Sequence, residues 1–196
     1  MSNSQEQLAD SVEQHLPGDL IIWIFILAEL TTFAAFFLTY AFARSRNVAL
    51  FHQSQLSLDL NSGAINTVLL ITGSWFVVLA VQAIKRNQVR LCSTWLVAGI
   101  GCGFLFLIIK VLEYQDKFTA GLNMSTNTFY MFYFSLTFFH FMHVILGLVF
   151  LAIVLTKNLK GAYSAQNHRL VESGAAYWHM VDLLWIVLFP LVYVMR

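Results

Sequence analysis

The chain has 196 residues, 59% of them hydrophobic and 11% charged, with a mean hydropathy of +0.71. A water-soluble domain of this size has no interior large enough for so much apolar surface, so the composition excludes one and requires a bilayer. A net charge of +1 equally excludes a strongly basic nucleic-acid binder and a strongly acidic tail.

Residues 1–18, MSNSQEQLADSVEQHLPG, carry Glu6, Asp10 and Glu13 but no Lys or Arg. A secretory signal needs a basic start and a short apolar core, so this segment reads as a polar tail ending at Pro17-Gly18. Residues 19–196 form one membrane domain. Five apolar stretches reach the roughly 20 residues that span a bilayer: 19–42, 63–84, 92–116, 127–156 and 172–195. Long runs without alternating polarity and only 2 prolines favour helices over a barrel. The predicted fold class is therefore all-α, a polytopic bundle of five transmembrane helices. Connections are short apart from RSRNVALFHQSQLSLDLNSG between the first two spans.

The first span, containing WIFILAELTTFAAFF, holds Glu29. The third holds Cys92 and Cys102, whose spacing fits no disulfide or metal motif and reads as two small buried hydrophobes. Near its outer end Lys110 and Glu113 stand at i, i+3, followed by Tyr114. An ion pair snorkelling at the interface accounts for them. In the fourth span, FHFMH places His140 and His143 on one helix face. In the last, YWHMVDLLWIVLF brings His179 and Asp182 one turn apart, between Trp178 and Trp185.

At a rise of about 1.5 Å per residue, Glu29 lies roughly 15 Å beyond Asp19, and Asp182 equally far beyond Glu172. Glu29, His140, His143, His179 and Asp182 are thus expected near the midplane as a buried polar core or a lipid or partner contact. Loop charge sets the orientation. Lys85, Arg86, Arg90, Lys157, Lys160 and Arg169 on the N-terminal side outnumber Arg44, Arg46, Lys117 and Arg196. The positive-inside rule then puts the N-terminus in the cytoplasm and the C-terminus outside.

Catalytic signatures are absent: there is no phosphate loop, dinucleotide fingerprint or nucleophile elbow. No Glu is followed three residues later by His, as carboxylate-bridged di-iron helices require. His143 and His179 could flank a haem from two helices, although both segments are crowded with Phe, Trp and Met. An independent small haem or quinone redox protein using these two histidines is therefore the alternative reading.

Taken together, these motifs resemble subunit III of the haem–copper oxidases, the cytochrome c oxidase subunit III family, over residues 18–196. Tyr177, Trp178, His179, Val181, Asp182 and Trp185 are similar to the signature of that family's last helix. FFHFMHVILGL supplies His140, His143, Val144, Ile145 and Gly147, LEYQDKF supplies Glu113 and Tyr114, and Glu29 matches a buried carboxylate. The resemblance is to a five-helix form, and the length and the LPGD lead-in look most like the branch associated with bacterial nitric oxide reductase. It implies a non-catalytic accessory subunit in a bacterial cytoplasmic membrane, packed beside the catalytic subunit of a terminal oxidase or nitric oxide reductase. It also implies no haem or metal in this chain, both being held by the partner. Phospholipid would lie between helices, and the subunit would support turnover or proton uptake.

Overall fold

The computed structural model describes residues 20–195; the expected tail over residues 1–18, the depth marker Asp19 and the loop cation Arg196 lie outside the described residues. The helices are α1 (Leu20–Arg46), α2 (Val48–Gln55), α3 (Leu60–Lys85), α4 (Val89–Thr119), α5 (Thr128–Leu159) and α6 (Arg169–Phe189). A π-helical turn, Pro190–Val194, follows α6. Five helices are long and apolar enough to cross a membrane: the protein is an all-α, multi-pass membrane bundle. All but α2 correspond to the expected spans.

Local chemistry sets the helix ends. Asp59 caps α3 by accepting from Asn61 N at 3.0 Å, and Asn127 caps α5 by accepting from Tyr130 N at 3.0 Å. Each takes one of the amides that a helix start leaves without a partner. The C-termini of α3, α4 and α5 close in the same way, with a left-handed residue just past the cap: Asn87 at φ 60°, Gly121 at 75° and Gly161 at 71°. In each the next amide returns to the carbonyl of the last turn: Gln88 N to Ala83 O, Leu122 N to Lys117 O, and Ala162 N to Lys157 O. This is the Schellman closure, which keeps the connections tight.

Small residues decide which helices come closest. The α3–α4 pair is the most extensive in the bundle. A Cβ added at Gly73 would meet Cys102 Cβ at 3.1 Å, and one at Gly99 would meet the Gly73 carbonyl at 3.3 Å. In hydrocarbon, close backbone approach of this kind replaces the hydrophobic drive that water would supply. Cys92 and Cys102 are free thiols buried in this region, as expected. Trp178 of α6 fills a cradle built by three other helices, with glycine at each point of contact: Gly73, Gly103 and Gly147. By contrast α1 is peripheral, burying only Ile26, Phe33 and Tyr40, one residue every two turns.

The unforeseen α2 has a clear task. Pro190 has no amide proton to continue the α6 ladder, and the turn it begins leaves the carbonyls of Leu191 and Val192 facing inward. Gln55 Nε2, at the end of α2, donates to Val192 O at 3.0 Å. Tyr40 OH of α1 donates to Leu191 O at 3.2 Å. The long loop folds back because a buried carbonyl without a donor is costly in a membrane.

The cradle yields a stability prediction. At Gly103 a Cβ would stand 2.7 Å from both the Trp178 ring and Leu148, whereas at Gly101 it would meet nothing within 4 Å. Gly103→Ala is expected to cost about 1–3 kcal/mol through overpacking. Gly101→Ala, in the same helix, is expected to be neutral or slightly stabilising through helix propensity. Thermal unfolding of the two variants in detergent compares them.

Candidate functional site

Glu29 and His143, drawn from α1 and α5, form a pair. His143 Nε2 lies 2.9 Å from Glu29 Oε2, and its Nδ1 lies 2.7 Å from the Phe139 carbonyl one turn earlier. A carbonyl only accepts, so Nδ1 must carry a proton. Two bare lone pairs would repel at 2.9 Å, so one further proton sits between Nε2 and Oε2. Whichever atom holds it, the pair is neutral overall, which suits a site with no water to hydrate a charge. Phe33 and Phe139 pack on the imidazole, with ring centroids at 5.2 and 4.8 Å.

His179 and Asp182 serve a different site. His179 Nδ1 meets Ser74 Oγ of α3 at 2.5 Å, and the Asp182 carboxyl stands beside the same hydroxyl. Asp182 Oδ1 is buried without a hydrogen-bond partner. His179 thus bonds to a serine of α3 and not to Asp182, one turn along its own helix, and neither residue reaches Glu29. His140 joins neither site. It is completely buried between Phe106 and Trp185, with centroids at 5.7 and 5.1 Å, and both ring nitrogens lack a hydrogen-bond partner. The five groups expected as a buried polar core or a lipid or partner contact thus occupy three separate places. Steps of 100° along α5 send His143 toward α1 and His140 toward α4 and α6.

Lys110 and Glu113 correct the sequence reading most sharply. The ion pair forms, Nζ to Oε2 at 3.1 Å, but it does not snorkel: Lys110 is 0% exposed and Glu113 5%. Lys110 Nζ also donates to Tyr193 OH, while Glu113 Oε1 accepts from Tyr133 OH and Tyr193 OH, both at 2.6 Å. Four rings surround the ammonium at 5.1 to 5.4 Å: Tyr193, Tyr133, Trp185 and Tyr114. Tyr133, Trp185 and Tyr114 present the negative faces of their π systems to the cation, whereas Tyr193 meets it through its hydroxyl. Tyr114 extends the network by donating to Thr137 Oγ1 at 2.9 Å. The reason is periodicity: Leu96, Gly99, Gly103, Phe106, Lys110 and Glu113 are all buried along one face of α4, a 3–4 spacing legible in the sequence. Ser74, Thr137, Tyr133 and Tyr193 carried no comparable signal, since each acquires its role from a residue on another helix.

The donor sets define what this interior can do. Both nitrogens of His143 are committed to protein atoms, leaving no free axial ligand to face His179. Among the described residues no group of three or more His, Cys, Asp or Glu side chains is placed to hold a metal ion. The Lys110–Glu113 network and the Glu29–His143 pair tie helices together.

The sequence matches the model of a family described as cytochrome c oxidase subunit III over residues 7–196. It is similar to cytochrome c oxidase subunit 3 of Thermostichus vulcanus, 32% identical over 88% of this chain and 84% of that protein. The corresponding figures for cytochrome c oxidase subunit 3 of Synechocystis are 33%, 88% and 73%. The haem–copper oxidase subunit I+III of Aeropyrum pernix is 31% identical over 96% of this chain, which spans only 24% of that longer protein.

The buried ion pair gives a test of this architecture. Lys110→Met strands a buried carboxylate and is expected to destabilise by about 3–5 kcal/mol, whereas Lys110→Met combined with Glu113→Leu should recover a large part of the loss. A double-mutant cycle on thermal unfolding measures the coupling.

Proposed function

Since the chain belongs to the cytochrome c oxidase subunit III family, we propose that it is the non-catalytic accessory subunit of a haem–copper oxidase complex in a bacterial cytoplasmic membrane. The observation that carries this reading is the commitment of both His143 nitrogens to Glu29 and Phe139. A histidine bound in this way holds helices and leaves haem and metal chemistry to a neighbour. The partner is the catalytic subunit: the Aeropyrum relative, by its name, joins subunits I and III in one protein. The sparsely buried α1 leaves an apolar face for helices of such a partner.

Three finer features complete the proposal. The LPGD lead-in, Leu16 to Asp19, supports a place in the nitric-oxide-reductase branch, with nitric oxide as the terminal acceptor of the complex. The loop cations from Lys85 to Arg169 support a cytoplasmic N-terminus. A phospholipid suits the groove of about 580 Å³ beside the α4–α5 loop, where Phe118, Phe134 and Phe138 would take an acyl chain and Asn123 and Ser125 stand at the rim. In this role the chain supports stability, turnover or proton uptake of the catalytic subunit.

Gentle purification of the tagged chain from native membranes, with a reduced-minus-oxidised spectrum, tests the reading. Haem is expected only with a large copurifying subunit, and the purified complex should consume nitric oxide in preference to oxygen. His143→Leu is expected to leave the haem spectrum of the complex unchanged while lowering turnover or assembly. Haem retained by the 22.3 kDa chain alone would overturn it.

A further inference from the structure

Between α1, α3 and α6 lies a groove of about 590 Å³ whose walls are mainly apolar, among them Trp23, Leu30, Val81 and Met180. Its volume is in the range of small-ligand sites, which combine apolar walls with a few placed polar atoms. Three polar features interrupt these walls, one of them Gln82 of α3, one turn before Lys85. At one end stand Lys85 and Glu172, paired at 2.7 Å. Seven residues further along α6, about 10 Å at the helical rise, His179 enters the lining.

The His179 ring is held from one side only. Nδ1 meets Ser74 Oγ, and Nε2 has no hydrogen bond to any described residue, so the Nε2 edge is the one a ligand can use. The Ser74 hydroxyl can serve Nδ1 in either sense. If Ser74 donates to Nδ1, Nε2 carries the proton and donates to a carbonyl. If Nδ1 donates to Ser74, the hydroxyl turns its own proton toward the neighbouring Asp182 carboxyl, and Nε2 accepts from a hydroxyl. The same imidazole therefore receives a ligand oxygen as carbonyl or as hydroxyl, with no movement of heavy atoms.

Depth narrows the class. A glycerophospholipid with its headgroup at Lys85 has its ester carbonyls at the hydrocarbon boundary and would present only methylenes about 10 Å further in. Across from His179 the groove wants a flat apolar ring whose oxygen interconverts between the two forms.

We propose that this groove binds a lipid-soluble quinone in both its oxidised and reduced forms, with His179 Nε2 as the polar contact and Ser74 and Asp182 setting the imidazole tautomer. The ring lies among Val78, Ala175 and Met180, and the tail leaves sideways into the bilayer. The site belongs to this chain alone and does not rest on the accessory-subunit reading.

The test uses the full chain in phosphatidylcholine nanodiscs, titrated with decylubiquinone and separately with its quinol, and followed by quenching of tryptophan fluorescence. Saturable binding of both is expected. His179→Leu should weaken both at least tenfold, and His179→Gln, which keeps a donor and an acceptor, should restore much of the loss. Ser74→Ala should weaken the quinol more than the quinone, because it strands the Nδ1 proton. If His179→Leu does not fold, Ala176→Phe, which fills the groove and spares the histidine, must abolish binding. Unsaturable partitioning, wild-type affinity in His179→Leu or Ala176→Phe, or displacement of the quinone by added phosphatidylglycerol at equal concentration would each overturn the proposal; the last would assign the groove to phospholipid.

Discussion

The ammonium of Lys110 is cut off from water, and much of the bundle is arranged around that fact. Its counter-ion, Glu113, comes from the next turn of α4. Hydroxyls and ring faces arrive from α5, from α6 and from the turn after α6. Trp185, one of the cage rings, donates to Thr67 at 2.9 Å and so draws in α3. The π turn that supplies Tyr193 needs donors for its own carbonyls, and these come from α1 and α2. Every helix of the bundle is thus joined, directly or at one remove, to one charge. A cation held by a carboxylate, a hydroxyl and three aromatic faces is fully satisfied, the condition under which a buried network rigidifies a structure.

The polar groups at membrane depth divide by completeness. The Lys110–Glu113 network and the Glu29–His143 pair are closed: each titratable side chain meets complementary partners, and the Glu29–His143 pair is neutral as a unit. The Ser74–His179–Asp182 group is open, with a carboxyl oxygen and an imidazole edge left over and an apolar groove alongside. Closed networks fix helix positions, whereas open ones are where a further molecule finds something to bind. His140 fits neither description. It is buried without hydrogen bonds between two aromatic rings, and nothing in the structure explains why a histidine occupies that place.

The spans were legible because hydrocarbon imposes a length, and any helix that crosses must show it. Single side chains were less legible. Glu29, His143, His179 and Asp182 stood out as polar residues in apolar surroundings, but their partners lie 114 and 105 positions away along the chain for Glu29 and His179. Spacing within one helix cannot express such pairs. It placed His179 and Asp182 one turn apart and carried no sign of the α3 serine that His179 meets. Lys110 and Glu113 misled for the opposite reason: their local spacing was sufficient for a surface ion pair, and the buried stripe of α4 carried the better information. The α2 helix, VALFHQSQ, is far too short to cross a bilayer and so gave no span signal; the demand for it arises at Pro190, near the far end of the sequence.

The separation between Glu29 and His143 matters during biosynthesis. The first span reaches the membrane long before the fourth has been made. At about 5–20 residues per second, the 114 residues between them take roughly 6–23 seconds to synthesise. For that interval Glu29 sits in an apolar helix with its final partner missing. A carboxylic acid crosses hydrocarbon at far lower cost than a carboxylate. The first helix is therefore at its most costly in the bilayer before α5 arrives, and the His143 imidazole that then meets Glu29 ends that interval and fixes α1 against the bundle.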